Sequence, residues 1–98
     1  MSLPYVVALE LNVNSEPGSF EIKYKEISQI IESLSISCKK IEQSVWIIKS
    51  DYKPAEILDR IRKVIASEDL VFVCELKNNK QGWLNTEAWK FMNDNIFN

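Results

Sequence analysis

The stretch Tyr5-Val6-Val7-Ala8-Leu9-Glu10-Leu11-Asn12 constrains this chain more than any other. A near-continuous apolar run rich in valine predicts a strand that sits mid-sheet with little exposed edge, ending at Asn12. Leu70-Val71-Phe72-Val73-Cys74-Glu75-Leu76 has the same character and is expected beside it in the sheet centre. Glu10 is the single acid of the first run and lies near its C-terminal end. Strand ends next to loops are where open sheets often place their chemistry.

Between the two runs the period changes. Asn14-Ser15-Glu16-Pro17-Gly18-Ser19 reads as a loop, with Pro-Gly as its turn signal. Tyr24, Ile27, Ile30, Ile31 and Leu34 then recur at three- and four-residue spacing, one apolar stripe of a helix over about 21–35. Ile36 to Lys49 holds two short strands that turn at Gln43-Ser44, or else one bent strand. Pro54 suits a first helical position, where its missing N–H leaves nothing unpaired. Ile57, Leu58, Ile61, Val64 and Ile65 extend that helix to about residue 66. Glu56–Arg60 and Asp59–Lys63 are i,i+4 pairs on its solvated face. Ser67-Glu68-Asp69 is a turn. After Asn78-Asn79-Lys80-Gln81-Gly82, Asn85 or Thr86 caps a last helix over about 86–95. Trp89, Met92 and Ile96 form its apolar side, with Trp83 packing near its start.

The order β-α-β-β-α-β with a C-terminal helical or extended segment is the ferredoxin-like pattern, an α+β fold. It requires an antiparallel sheet with both helices on one face. The other face must be covered, either by the C-terminal segment or by a second copy of the chain. Ninety-eight residues read as one domain spanning 1–98.

Composition removes several chemistries. Histidine is absent, which rules out Ser-His-Asp and Cys-His nucleophiles and His-based zinc sites. Cys38 and Cys74 form no CxxC pair and read as small buried hydrophobes in a reducing cytosol. The net charge of -2 argues against nonspecific nucleic-acid binding by a monomer, while Lys39, Lys40, Lys49 and Lys53 leave room for a local patch. Tyr5, Trp46 and Trp83 read either as core or dimer packing or as base-stacking platforms. Met1-Ser2-Leu3-Pro4 has no charged start or small-residue cleavage site, so no signal peptide is expected, and no apolar run approaches the ~20 residues that span a bilayer. A cytoplasmic protein is expected.

Particular residues narrow the pattern further. Leu9-Glu10-Leu11-Asn12 closes strand one, and Gln43-Ser44-Val45-Trp46-Ile47-Ile48 precedes Pro54-Ala55-Glu56-Ile57. Asp69-Leu70-Val71-Phe72-Val73 and Gly82-Trp83-Leu84 follow. This succession, over nearly the whole chain, resembles the SinR-like small proteins, relatives of the ferredoxin-like CRISPR spacer-acquisition subunit and of the VapD toxins. The resemblance implies a homodimer with sheets packed face to face. It also implies one of two roles. One is a metal-dependent endonuclease, in which an acid from each protomer holds Mg²⁺ or Mn²⁺ at the dimer axis. The other is a non-catalytic scaffold with a protein partner. The family acid, usually Asp, falls on Glu10, and the family's serine falls on Ser44. Glu10 is thus the expected metal ligand and, with Ser44, the expected catalytic pair. The arginines that often follow strand one in the CRISPR subunit are missing here, which weakens phosphate binding. The longer Glu side chain also strains the octahedral demand of Mg²⁺. The scaffold is therefore the favoured expectation. Without the resemblance, Glu10 reads as a solvated strand-end acid and Asn12 as the start of a turn.

Overall fold

The computed structural model describes residues 2–12 and 19–97. The elements are β1 (Leu3–Glu10), α1 (Ser19–Leu34), β2 (Ser37–Glu42), β3 (Val45–Ser50), α2 (Pro54–Arg62), β4 (Leu70–Glu75), α3 (Thr86–Phe91) and a π-helical turn (Met92–Ile96). The four strands form one sheet in the order β2-β3-β1-β4, every pair antiparallel. This is the ferredoxin-like α+β architecture. The expected Pro17-Gly18 turn lies outside the described residues.

Strand alternation divides the side chains between two faces. Tyr5, Val7 and Leu9 of β1, with Trp46 and Ile48 of β3, point to the helices. They bury against Ile27, Ile31 and Leu34 of α1 and Ile57 and Ile61 of α2. Each such side chain contributes about 1.5–3 kcal/mol when fully buried. The opposite face holds a smaller cluster, in which Ile47 of β3 packs under Met92 and Ile96, with Trp89 and Leu84 alongside. The C-terminal segment therefore covers part of that face.

Several boundaries differ from the sequence expectation. β1 ends at Glu10, not Asn12, because Glu10 meets Leu70, the first residue of β4, and Asn12 N–H donates instead to Asp69 Oδ1 at 2.7 Å. Gln43-Ser44 is the turn between two separate strands, which removes the single bent strand. α2 stops at Arg62, not residue 66: Val64 N–H tightens onto Ile61 C=O at 3.1 Å, and Asp69 Oδ2 takes the Ala66 N–H at 2.8 Å. Val64 and Ile65 still pack on the core from this irregular tail. The Glu56–Arg60 pair is replaced by other contacts: Glu56 Oε1 accepts the Lys53 N–H at 2.9 Å, and Arg60 lies over the Tyr52 ring at 4.3 Å.

β4 is an edge strand, not a central one. Its neighbour β1 already has β3 on its other side. Val71 and Val73 face the core, so the apolar run continues only because the other face carries Leu70 and Phe72 into the open, 61% and 62% exposed. Cys74 shares that outer face and is exposed, contrary to the buried reading, whereas Cys38 is half-buried. Trp83 does not pack beside α3; it is fully exposed in the connector after β4. No helix among the described residues is long and apolar enough to cross a membrane.

Candidate functional site

Alternation puts Val6, Ala8 and Glu10 on the face of β1 away from the helices. Their cross-strand partners on β4 are Cys74, Phe72 and Leu70. The C-terminal cover reaches Val6 but not the Ala8 and Glu10 rows. Glu10 thus stands exposed at the rim of an uncovered apolar area, sharing a hollow of about 230 Å³ with Ala8, Leu70 and Phe72.

On its other side Glu10 borders a hollow of about 240 Å³ with Phe20, Tyr24, Gln43 and Ser44. The β2–β3 turn is held there by Leu9 N–H, which donates to Ser44 C=O at 2.9 Å. The Tyr24 hydroxyl fastens the same turn from α1 by donating to Gln43 C=O at 2.6 Å. Phe20 stacks on Tyr24 at 5.8 Å between centroids, Trp46 tilts against it at 5.7 Å, and Lys40 Nζ lies 5.2 Å from the ring centre. Glu10 and Ser44, singled out from the sequence, are therefore brought to one mouth. Tyr5 and Trp46 are buried, which takes them out of any base-stacking role, and burial, with the charges of Glu75 and Glu56, holds the Tyr5 phenol above its usual range.

Asp69, read from the sequence as part of a plain turn, is the most heavily used acid among the described residues. Its side chain is fully buried. Oδ1 accepts the Asn12 N–H; Oδ2 accepts the Ala66 N–H and pairs with Lys23 Nζ at 2.9 Å. Burial alone would raise its pKa. The N–H groups of Ala66 and Asn12 and the Lys23 ammonium outweigh that and hold it below the usual carboxylate value. One carboxylate thus ties the end of β1, α1 and the α2–β4 connector together just beyond Glu10. Its donors are all internal, so its role is to hold structure.

The donors in one chain do not fit a divalent cation. Mg²⁺ and Mn²⁺ prefer several oxygen ligands, and Mg²⁺ tolerates little departure from octahedral geometry. Among the described residues no group of three or more His, Cys, Asp or Glu gathers to hold a metal. Glu10 brings one carboxylate, and Asp69 is spent. Cys38 adds no reactive thiolate, since burial, with the Glu32 charge nearby, pushes its thiol up.

No protein-family model matches the chain, and no curated protein matches it in sequence. Among solved structures, Cas2 from Streptococcus pyogenes is similar, with a TM-score of 0.53 and 16% identity, over 79% of this chain and 89% of that one. At this identity the likeness is one of fold.

Proposed function

We propose that this chain works as a homodimeric, non-catalytic scaffold of the CRISPR spacer-acquisition kind, two copies meeting through the uncovered part of the sheet. The observation that carries this is the pair Leu70 and Phe72, each about three-fifths exposed on a face whose other half the chain's own C-terminal segment covers. Contiguous apolar surface left open beside covered surface favours a partner surface. A second copy suits it, because a twofold axis sets the same apolar patch against itself. The likeness to Cas2 supports this reading through the shared fold, and the resemblance to SinR-like proteins and VapD toxins supports it through the sequence. The chain is read as one domain, cytoplasmic, with a protein partner on the assembled dimer and with nucleic acid disfavoured by its net acidity.

Phe72→Glu tests the dimer. Sedimentation equilibrium should give two copies for the wild-type chain and one for Phe72→Glu, with unchanged circular dichroism. A wild-type chain that stays monomeric at high micromolar concentration removes this reading.

A second reading, a Mg²⁺- or Mn²⁺-dependent endonuclease, draws on one observation: Glu10 lies on the same face as Phe72, at the rim of the surface where the copies would meet. A twofold there supplies a pair of Glu10 carboxylates, with Ser44 close by. Cleavage of single-stranded RNA or duplex DNA that disappears in both EDTA and Glu10→Ala supports it. Cleavage that survives Glu10→Ala, or no cleavage, leaves the scaffold.

A further inference from the structure

We propose that a hollow between the sheet and the C-terminal segment is a binding site for a small, neutral aromatic molecule of indole size. The hollow measures about 240 Å³ and belongs to the smaller core, on the sheet face away from α1 and α2. Ile41 and Ile47 line it from the sheet, Trp89, Met92 and Phe97 from the C-terminal segment, and Leu84 from the connector after β4. Protein interiors pack like organic crystals and leave few gaps larger than a water molecule. This gap is far larger, and it lies among side chains that otherwise pack on one another. An apolar cavity of about 150 Å³ takes up benzene, so this hollow has room for a second, fused ring. Trp83 does not enter it. A Cβ at Gly82 would lie 3.6 Å from the Trp89 ring, so the connector runs against that wall, yet the indole of Trp83 stands wholly in solvent.

The charges around the hollow are turned away or already engaged, which sets the polarity of the ligand. Glu75 lies opposite Tyr5, a residue of the helix face, so strand alternation turns its carboxylate to that face, where its charge acts on the Tyr5 phenol. Lys80 Nζ donates to Asn78 Oδ1 and lies 4.4 Å from the centre of the Phe97 ring. Lys77 is exposed, and a long cationic side chain keeps its head in water. A charged group on the ligand would lose its hydration in the hollow without gaining a partner there. An aromatic ring meets the rings of Trp89 and Phe97 and the thioether of Met92, all contacts that favour it. Asn79 and Gln81, exposed at the rim, offer amide oxygens to one ring N–H. Two fused rings with a single donor is the description of indole. The site shares no lining residue with the hollow beside Leu70 and Phe72, so it stands whether or not the chain dimerises there.

The probe is indole itself, titrated calorimetrically into the full chain. Binding tighter than about 1 mM is expected. Intermolecular NOEs should run from the ring protons to the methyls of Ile41, Ile47 and Met92. Hydrogen exchange in α3 and the π-helical turn should slow more than in β1, because the ligand holds the segment down. Leu84→Trp places an indole of the chain's own at the same wall and should weaken binding about tenfold or more, with unchanged circular dichroism. The NOEs locate the ligand even if that variant misfolds. Indoleacetate and tryptamine should bind no more tightly than indole. No binding at about 1 mM overturns the proposal, as do NOEs to residues outside the hollow or unchanged binding by a folded Leu84→Trp. Binding about tenfold tighter by either charged analogue overturns the neutral class. A similar tightening in Trp83→Ala overturns it too, by showing that this side chain, of the same or a second copy, occupies the hollow in solution. Phe72→Glu should bind indole as the wild type does, which separates a failure here from a failure of the dimer.

Discussion

Asp69 decides more of this structure than its position in a short acidic turn implies. Breaking a buried, hydrogen-bonded ion pair by neutralising one partner costs about 3–5 kcal/mol, because the other charge is left without its counterpart. Lys23 keeps some contact with water, its side chain 22% exposed, so Asp69→Asn belongs at the low end, about 3 kcal/mol by chemical denaturation. The pH dependence follows from the same contacts. The folded-state pKa of Asp69 is depressed, so between that value and the unfolded value of about 3.9 the unfolded chain binds more protons. The stabilisation is therefore complete above about pH 5 and is lost as pH falls through the folded pKa. Melting temperature against pH should fall more gently in Asp69→Asn than in the wild type on the acid side. Parallel curves would mean that another carboxylate governs acid unfolding. Ser50 is a smaller case of the same kind. Its buried hydroxyl donates to Leu34 C=O at 2.6 Å and accepts the Tyr52 N–H at 3.1 Å, fastening the end of α1 to the exit of β3. Ser50→Ala should cost about 1–3 kcal/mol, since both backbone groups lose their partner where water has little access. Neither role is legible in the sequence. Asp69 meets Asn12 and Lys23 across 57 and 46 residues of chain, and local spacing carries no record of such contacts.

Elements were far more readable, and the exceptions share a cause. The stripe of α1, the proline start of α2 and the turn at Gln43-Ser44 are all set by neighbours within a few residues, and the structure keeps them. The place of β4 is a property of the whole sheet. An unbroken apolar run reads the same whether its second face meets a helix, a second copy or water. Trp83 shows this limit too: tryptophan favours burial, yet in the irregular stretch after β4 no periodic pattern fixes its direction, and it stands free. The Asn85 cap, by contrast, is local and was legible. Its Oδ1 accepts the Ala88 N–H at 2.8 Å, one of the helix-start donors that would otherwise lack a partner. Asn85→Ala should cost about 1 kcal/mol. That loss should appear first as faster hydrogen exchange at Ala88 and Trp89, with the amides of β1 unaffected.

Taken whole, the described residues form two cores of unequal size on opposite faces of one sheet. The larger lies between the sheet and α1 and α2; the smaller is Ile47 under Met92 and Ile96. Hydrophobic stabilisation scales with apolar area removed from water, so the larger core carries the fold and the smaller carries only the C-terminal segment. Regions with few buried contacts open locally with less free energy than the whole domain requires. Ile96→Ala removes methylene groups from the smaller core and should cost about 2–5 kcal/mol there. If that exceeds what holds the segment down, it detaches while β1, β3 and the helices stay folded. Hydrogen exchange should then show α3 and the π-helical turn losing protection together, with Val7 and Ile48 unchanged. Detachment also lays Ile47 and Val6 bare next to Leu70 and Phe72, enlarging the open face. The same variant should therefore associate more strongly or less specifically than the wild type in sedimentation velocity. Uniform loss of protection across both cores would mean instead that the C-terminal segment is cooperative with the rest. In that case its cover belongs to the folding unit, and a second copy would meet this face through its open part alone, around Leu70 and Phe72.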